Sequence, residues 1–124
     1  MTDTFTLVLP IPSNTLSKNS RAHWRAKHKA FQACKWLAFA AVREQMSTVP
    51  EWPGATLHLR WCQIKRGGGT DDDNALSRIS GYRDGVAATG IVADDVTIRI
   101  GSIEVERVMH KADERVELRF DRRD

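Results

Sequence analysis

The run Thr56-Leu57-His58-Leu59-Arg60-Trp61-Cys62-Gln63-Ile64-Lys65-Arg66-Gly67-Gly68-Gly69-Thr70-Asp71-Asp72-Asp73-Asn74 changes character twice. Over residues 56–65 apolar and polar side chains alternate. Leu57, Leu59 and Trp61 share one side and His58, Arg60 and Cys62 the other, which predicts a strand with one buried face. The glycines that follow form either a plain linker or a loop whose backbone can approach a ligand. The acidic residues then open a helix, because carboxylates cap free N–H groups and complement the helix dipole. This second helix of the chain is expected over residues 71–89, with Leu76, Ile79, Tyr82 and Val86 facing inward and Gly90 as its stop. Gly81 and Gly85 weaken it.

One Asp at a helix start is accounted for by capping; three in succession exceed that need. Crowded carboxylates repel unless a cation lies between them, and the usual cation is divalent. Asp71 and Asp73, at i and i+2, can converge on one ion, which leaves Asp72 a capping or surface role. A second acidic pair, Asp94-Asp95, follows Gly90, and the returning chain can bring one of them back to the helix start. Asp84 cannot join, since it lies about 16 Å further along a helix. The donors are hard oxygens, which favours Mg²⁺, with Mn²⁺ able to substitute. The spacing is not that of an EF-hand calcium loop. His23, His28, His58 and His110 show no zinc-ligand spacing, and Cys34 and Cys62 form no CxxC pair and read as reduced core thiols. Neither a serine nucleophile elbow nor a phosphate-binding P-loop occurs.

Toward the N-terminus, residues 5–9 read as a strand stopped by Pro10 and Pro12, followed by a loop over residues 11–19. Residues 20–46 contain neither Pro nor Gly and predict one long helix, capped by Asn19 or Ser20. Ala26, Ala30, Ala33, Leu37 and Ala41 form its expected inward stripe, and Trp24, Phe31, Trp36 and Phe39 are assigned to the core, with Trp24 the exception to watch. Between residues 18 and 43 there are seven Lys/Arg and no Asp/Glu; between 71 and 95 there are six Asp against two Arg. Lys18, Arg21, Arg25, Lys27 and Lys29, with His23 and Trp24 among them, can line a groove for a polyanion such as nucleic acid; a solvated helix face is the alternative. Lys65, Arg66 and Arg78 are further candidate phosphate contacts. Toward the C-terminus, Val96, Ile98 and Ile100 suggest an extended edge. Residues 103–110 and 115–120 suggest a hairpin turning at residues 111–114. At 124 residues and 41% hydrophobic the chain suits one α+β domain, residues 1–124, with a mixed sheet of about four strands packed against two main helices. No run is long and apolar enough for a membrane span and no signal peptide is evident, so a soluble cytoplasmic protein is expected.

With these residues in view, the chain resembles the RusA family of Holliday junction resolvases, above all its phage and prophage members. The resemblance rests on Leu9-Pro10-Ile11-Pro12-Ser13, on Asn19-Ser20-Arg21-Ala22-His23-Trp24-Arg25, on Asp71-Asp72-Asp73-Asn74, on Asp84-Gly85 and on the turn from Gly90 to Asp95. It implies a RusA-like homodimer in a bacterial cell, encoded by host or phage, that uses magnesium to cut two strands of a four-way DNA junction symmetrically. It implies Asp71, Asp73 and Asp95 as the catalytic metal ligands, with Asn74 and Asp94 beside them. One position departs from the pattern: where the family often carries a lysine four residues before the Asp matching Asp84, this chain has Ser80. A protein that binds junctions without cutting them is the corresponding alternative.

Overall fold

The computed structural model describes residues 3–18, 20–64 and 71–124. Its four strands are β1 (Thr4–Leu9), β2 (Gly54–Gln63), β3 (Ile98–Arg107) and β4 (Arg115–Arg123), and its helices are α1 (Trp24–Gln45), α2 (Asp72–Arg78) and α3 (Ser80–Ala88). The strands form one mixed sheet in the order β1-β4-β2-β3. β4 lies antiparallel to both β1 and β2, and β3 lies parallel to β2, so α2 and α3 sit in the crossover between parallel strands. The α+β class and the four-stranded sheet expected from the sequence are both present.

The expected hairpin over residues 103–120 is not. β2 lies between β3 and β4. A tight hairpin wants φ > 0 at its turn, and the described residues have positive φ at Gly90 alone. A short 3-10 turn, Lys111–Asp113, instead carries the chain across the end of β2. The Val108 N–H donates to the Gln63 carbonyl at 3.2 Å, and the Ile64 N–H to a Glu114 carboxylate oxygen at 3.0 Å. β2, the strand most buried along its length, takes the centre, while β3 becomes an edge with few buried residues.

One face of the sheet buries Phe5, Leu7, Leu9, Leu57, Leu59, Trp61, Val116, Leu118 and Phe120 under the helices. The other face is a lattice of charges, with Arg60 paired to Glu106 and Glu117, and His58 to Asp121. A bulge between Leu57 and His58 leaves Gly101 as the extra residue of β3, and a Cβ there would stand 2.5 Å from the His58 ring.

The helices correct the sequence expectations at three points. α1 starts at Trp24, not at residue 20, because His23 is its N-cap: the ring Nδ1 accepts the Arg25 N–H at 3.1 Å. Its buried line is Cys34, Ala38 and Val42, so Ala26, Ala33 and Leu37 face outward and Trp36 is 56% exposed. The second helix is broken at Ile79, which has φ −92° and ψ 3°. The glycines that weaken this segment also decide the packing. A Cβ on Gly81 would meet the Phe31 carbonyl at 2.8 Å, and one on Gly85 the Lys35 carbonyl at 2.1 Å. α3 therefore lies against the α1 backbone along this line, and that contact selects which face of α1 turns inward. Gly90, at φ +89°, ends α3 as expected.

Candidate functional site

The loop after β1 is bolted to one face of the α2–α3 segment. The Tyr82 hydroxyl donates to the Pro10 carbonyl at 2.6 Å, the Arg78 guanidinium donates to the Pro12 carbonyl, and Ser77 Oγ donates to the Leu16 carbonyl at 2.7 Å. Asn74 Oδ1 accepts from Ser17 Oγ at 3.1 Å and from the Lys18 N–H at 3.2 Å. Positions 74, 77, 78 and 82 recur at helical spacing, so four side chains on a single face hold the loop at five residues. The loop ends immediately before the basic segment that leads into α1.

This tie places Lys18 beside the acidic helix start, with its Nζ 3.8 Å from an Asp73 carboxylate oxygen. Both side chains are well exposed, so the pair marks proximity more than stability. Asp71 is the N-cap of α2, and its Oδ1 accepts the Asn74 N–H at 2.8 Å. The capping role therefore belongs to Asp71 and not to Asp72. Oδ2 of Asp71 has no such duty, and both Asp72 and Asp73 are exposed.

Asp94 and Asp95 stand in the turn after α3. Asp94 caps the 3-10 turn Asp95–Thr97 by accepting the Val96 N–H at 3.1 Å. The hydrogen bond between the two carboxyl groups holds Asp95 above the usual carboxylate range and Asp94 below it. Burial and the Asp94 charge push Asp95 the same way, Arg83 opposes them, and Asp84 adds to them. Of these groups Arg83 and Asp84 lie on α3. Among the described residues no three His, Cys, Asp or Glu side chains group closely enough to hold a metal ion. The acidic donors stand as two pairs, Asp71 with Asp73 and Asp94 with Asp95. In kind they suit a hard divalent cation, since all are carboxylate oxygens.

The basic candidates divide into three groups. Arg21, His23, Trp24, Arg25 and Lys29 are exposed, and the Arg25 guanidinium rests 5.4 Å from the Trp24 ring centroid. Lys27 is committed, as its ammonium donates to the Ser20 carbonyl at 2.8 Å. Arg78 is only 7% exposed and sits 4.8 Å from the Trp61 ring centroid, so it is a structural cation and corrects the expectation of a phosphate contact. Lys65, Arg66, the glycine run, Thr70 and Asn19 lie outside the described residues. Sequence reading missed Lys35, whose ammonium lies 3.3 Å from Asp84. Its only signal was its place in the basic run of α1; the pairing exists because α3 crosses α1 there. A separate depression of about 300 Å³ on the charged face of the sheet, lined by His58, Arg60, Ser102 and Glu117 among others, contains none of the expected ligands.

No protein-family model matches the chain. Over 93 residues it is 37% identical to an uncharacterized protein of Xylella fastidiosa (strain Temecula1 / ATCC 700964), a similarity that covers 68% of this chain and 58% of that protein. The chain therefore spans less than two thirds of that relative's length.

Proposed function

We propose that the protein is a magnesium-dependent, structure-selective endodeoxyribonuclease of the RusA kind. It would act as a homodimer in the bacterial cytoplasm to resolve four-way DNA junctions by paired nicks in recombination and repair. The observation that carries this reading is the joining of Asn74 to Ser17 and Lys18 and of Asp73 to Lys18, which sets an acidic helix start beside the basic entrance of α1. Asp71, Asp73 and Asp95 would hold the ion, with Asp94 and Asn74 supporting them. Bound Mg²⁺, or Mn²⁺ in its place, would acidify a water ligand and offset charge developing on the phosphate. Lys18, Arg21 and Arg25 would hold phosphates without reading sequence, and Trp24 offers an exposed ring on which an unpaired base can stack. A two-fold dimer matches a substrate of two-fold symmetry.

The second reading is a junction-binding protein with weak or no cleavage, and Ser80 favours it. Its hydroxyl donates to the Ser77 carbonyl at 2.8 Å at the break between α2 and α3, and it carries no ammonium. Lys35, held at Asp84, brings an ammonium to α3, and Lys18 brings one to Asp73. The test is a labelled four-way junction incubated with wild-type protein and with Asp73→Asn, with and without Mg²⁺. Paired nicks from the wild type alone, dependent on the metal, are expected. A junction bound but left intact in both Mg²⁺ and Mn²⁺ transfers the assignment to the binding module. Equal affinity for linear duplex and junction removes both.

A further inference from the structure

Four residues form a row across the charged face of the sheet. Thr6 of β1 lies opposite Arg119 of β4, Arg119 opposite His58 of β2, and His58 opposite Ser102 of β3. The bulge decides the last pairing: Leu57 faces Ile100, and the extra residue at 101 brings Ser102 beside the imidazole. Ser102 Oγ lies 2.8 Å from His58 Nδ1, and His58 Nε2 lies 3.4 Å from Asp121 Oδ2. A carboxylate only accepts, so the neutral ring carries its proton on Nε2, and Nδ1 accepts from the Ser102 hydroxyl. Gly101 lets the ring lie against the strand, since a Cβ there would stand 2.5 Å from it. The Thr4 hydroxyl donates to Asp121 Oδ1 at 2.7 Å. That bond above all, with Arg119 and the imidazole, keeps the Asp121 carboxyl below the usual carboxylate range against the effect of burial. Ser102 is exposed while His58 and Asp121 are half-buried, so a substrate reaches the hydroxyl first.

We infer that Ser102, His58 and Asp121 act as nucleophile, base and orienting carboxylate in the hydrolysis of short-chain carboxylic esters, bound in the depression of about 300 Å³ that this row lines. Nδ1 takes the Ser102 proton as Oγ bonds to the acyl carbon. The C–O bond to the alcohol then breaks, and the departing oxygen takes the proton from Nδ1. Water, losing a proton to Nδ1, attacks the acyl carbon, and that proton returns to Oγ as the carboxylic acid leaves. Ester and water become acid and alcohol, and the balance needs nothing further. Arg119 reaches Asp121 through Nε and Nη2, each at 3.4 Å, and among the described residues nothing pairs with its Nη1. This permanent cation stands next to His58 in the row and is the donor for negative charge developing on the carbonyl oxygen. The volume lies at the lower end for ligand sites, which admits a short acyl chain and leaves the alcohol part in solvent. Arg60, Glu104 and Glu117 line the depression beside Arg119, two cations against two anions, which favours an uncharged acyl group. The site shares no residue with the proposed metal site or the basic helix and stands whether or not the protein cuts DNA.

Hydrolysis of p-nitrophenyl acetate by the full chain tests it, with the acetylated residue located by peptide mass spectrometry after an acid quench. Saturable hydrolysis that EDTA leaves unchanged, and an acetyl group on Ser102 of the wild type, are expected. Ser102→Ala and His58→Ala should each lower kcat/KM on the order of 100-fold, the share of a positioned proton acceptor and the group it activates. Asp121→Asn still accepts from Thr4 but no longer fixes the proton on Nε2. It should lower kcat at least about tenfold with KM within about twofold of the wild type, a split that a purely structural role would not produce. Circular dichroism should show native structure in all three variants. A wild type no faster than Ser102→Ala, an acetyl group found only on other residues, or hydrolysis abolished by EDTA overturns the site. An Asp121→Asn protein with wild-type kcat overturns the role of the orienting carboxylate.

Discussion

Arg78 brings a permanent charge between the sheet and the loop after β1, where Pro12 supplies an acceptor and Trp61 a ring face. Burial lowers the pKa of its guanidinium, which nonetheless stays charged at neutral pH because its ordinary value is so high. Arg78→Met keeps most of the apolar bulk but leaves the Pro12 carbonyl without its donor. It is expected to cost about 2–3 kcal/mol in urea unfolding, from the lost charge-assisted hydrogen bond and cation–π contact; a loss below about 0.5 kcal/mol would show the tie to be incidental. At the acidic helix start, capping can be separated from the proposed metal binding in a similar way. Asp71→Ala should destabilise by about 1 kcal/mol through the lost N-cap, and Asp72→Ala by less than about 0.5 kcal/mol. Asp71→Asn still caps, so unchanged stability with loss of Mg²⁺-dependent cleavage is its expected signature, read by thermal melts beside the junction assay. These carboxylates were legible in the sequence. Which of them caps was not, because a run of three offers three helix starts and only the fold chooses one.

The pairing of α1 with α3 shows why element identity was easier to read than element faces. The glycine positions that lower helix propensity admit the Lys35 and Phe31 carbonyls at distances no Cβ tolerates. Gly85→Ala drives a methyl against backbone that cannot move aside, and it should cost more than about 3 kcal/mol or prevent folding, with Gly81→Ala less severe. Gly90→Ala has open space around it and meets only the left-handed backbone, so about 1 kcal/mol is expected. Equilibrium denaturation of the three variants gives the ranking; a Gly85→Ala protein as stable as Gly90→Ala would mean that the helices do not touch as described. The alanine-rich stripe predicted for α1 holds at Ala30 and Ala41, which pack half-buried against the core, and fails at Ala26, Ala33 and Leu37, which face outward, for the same reason. Small residues occur all round this helix, and the inward set follows from where the glycines of α3 press.

At the scale of the whole molecule, the sheet separates the two cysteines. Cys34 lies in the helical layer, where burial pushes its thiol pKa up and a Tyr82 hydrogen bond partly opposes that. Cys62 points to the charged face beneath Arg60, Arg115 and Glu106, where burial again raises the thiol and the arginines oppose it. Neither side chain is free to ionise or to meet the other, so both should resist alkylation in the native protein and react together in denaturant. Mass spectrometry of a brief iodoacetamide pulse checks this, and rapid native labelling of one thiol would place it outside the layer assigned to it. None of the described helices is long and apolar enough to cross a membrane. The layers also set the limit of the candidate site. The crossover carries Asp71 and Asp73 at one helix start and Asp95 in the turn after α3, where Asp94 acts on it most and Arg83 and Asp84 less.

The sequence by itself determined the α+β class, four strands, the positions of the long basic helix and the acidic helix start, and Gly90 as the end of that helical segment. These follow from alternation, helix propensity and turn chemistry, which act over a few residues. Tertiary structure alone decided that β2 separates β3 from β4, that α1 turns Trp36 and Leu37 outward, that Arg78 is buried and that Lys35 meets Asp84. The reason is that strand order, helix rotation and ion pairing depend on contacts between segments far apart in the chain, where several arrangements satisfy the same local pattern and only close packing distinguishes them.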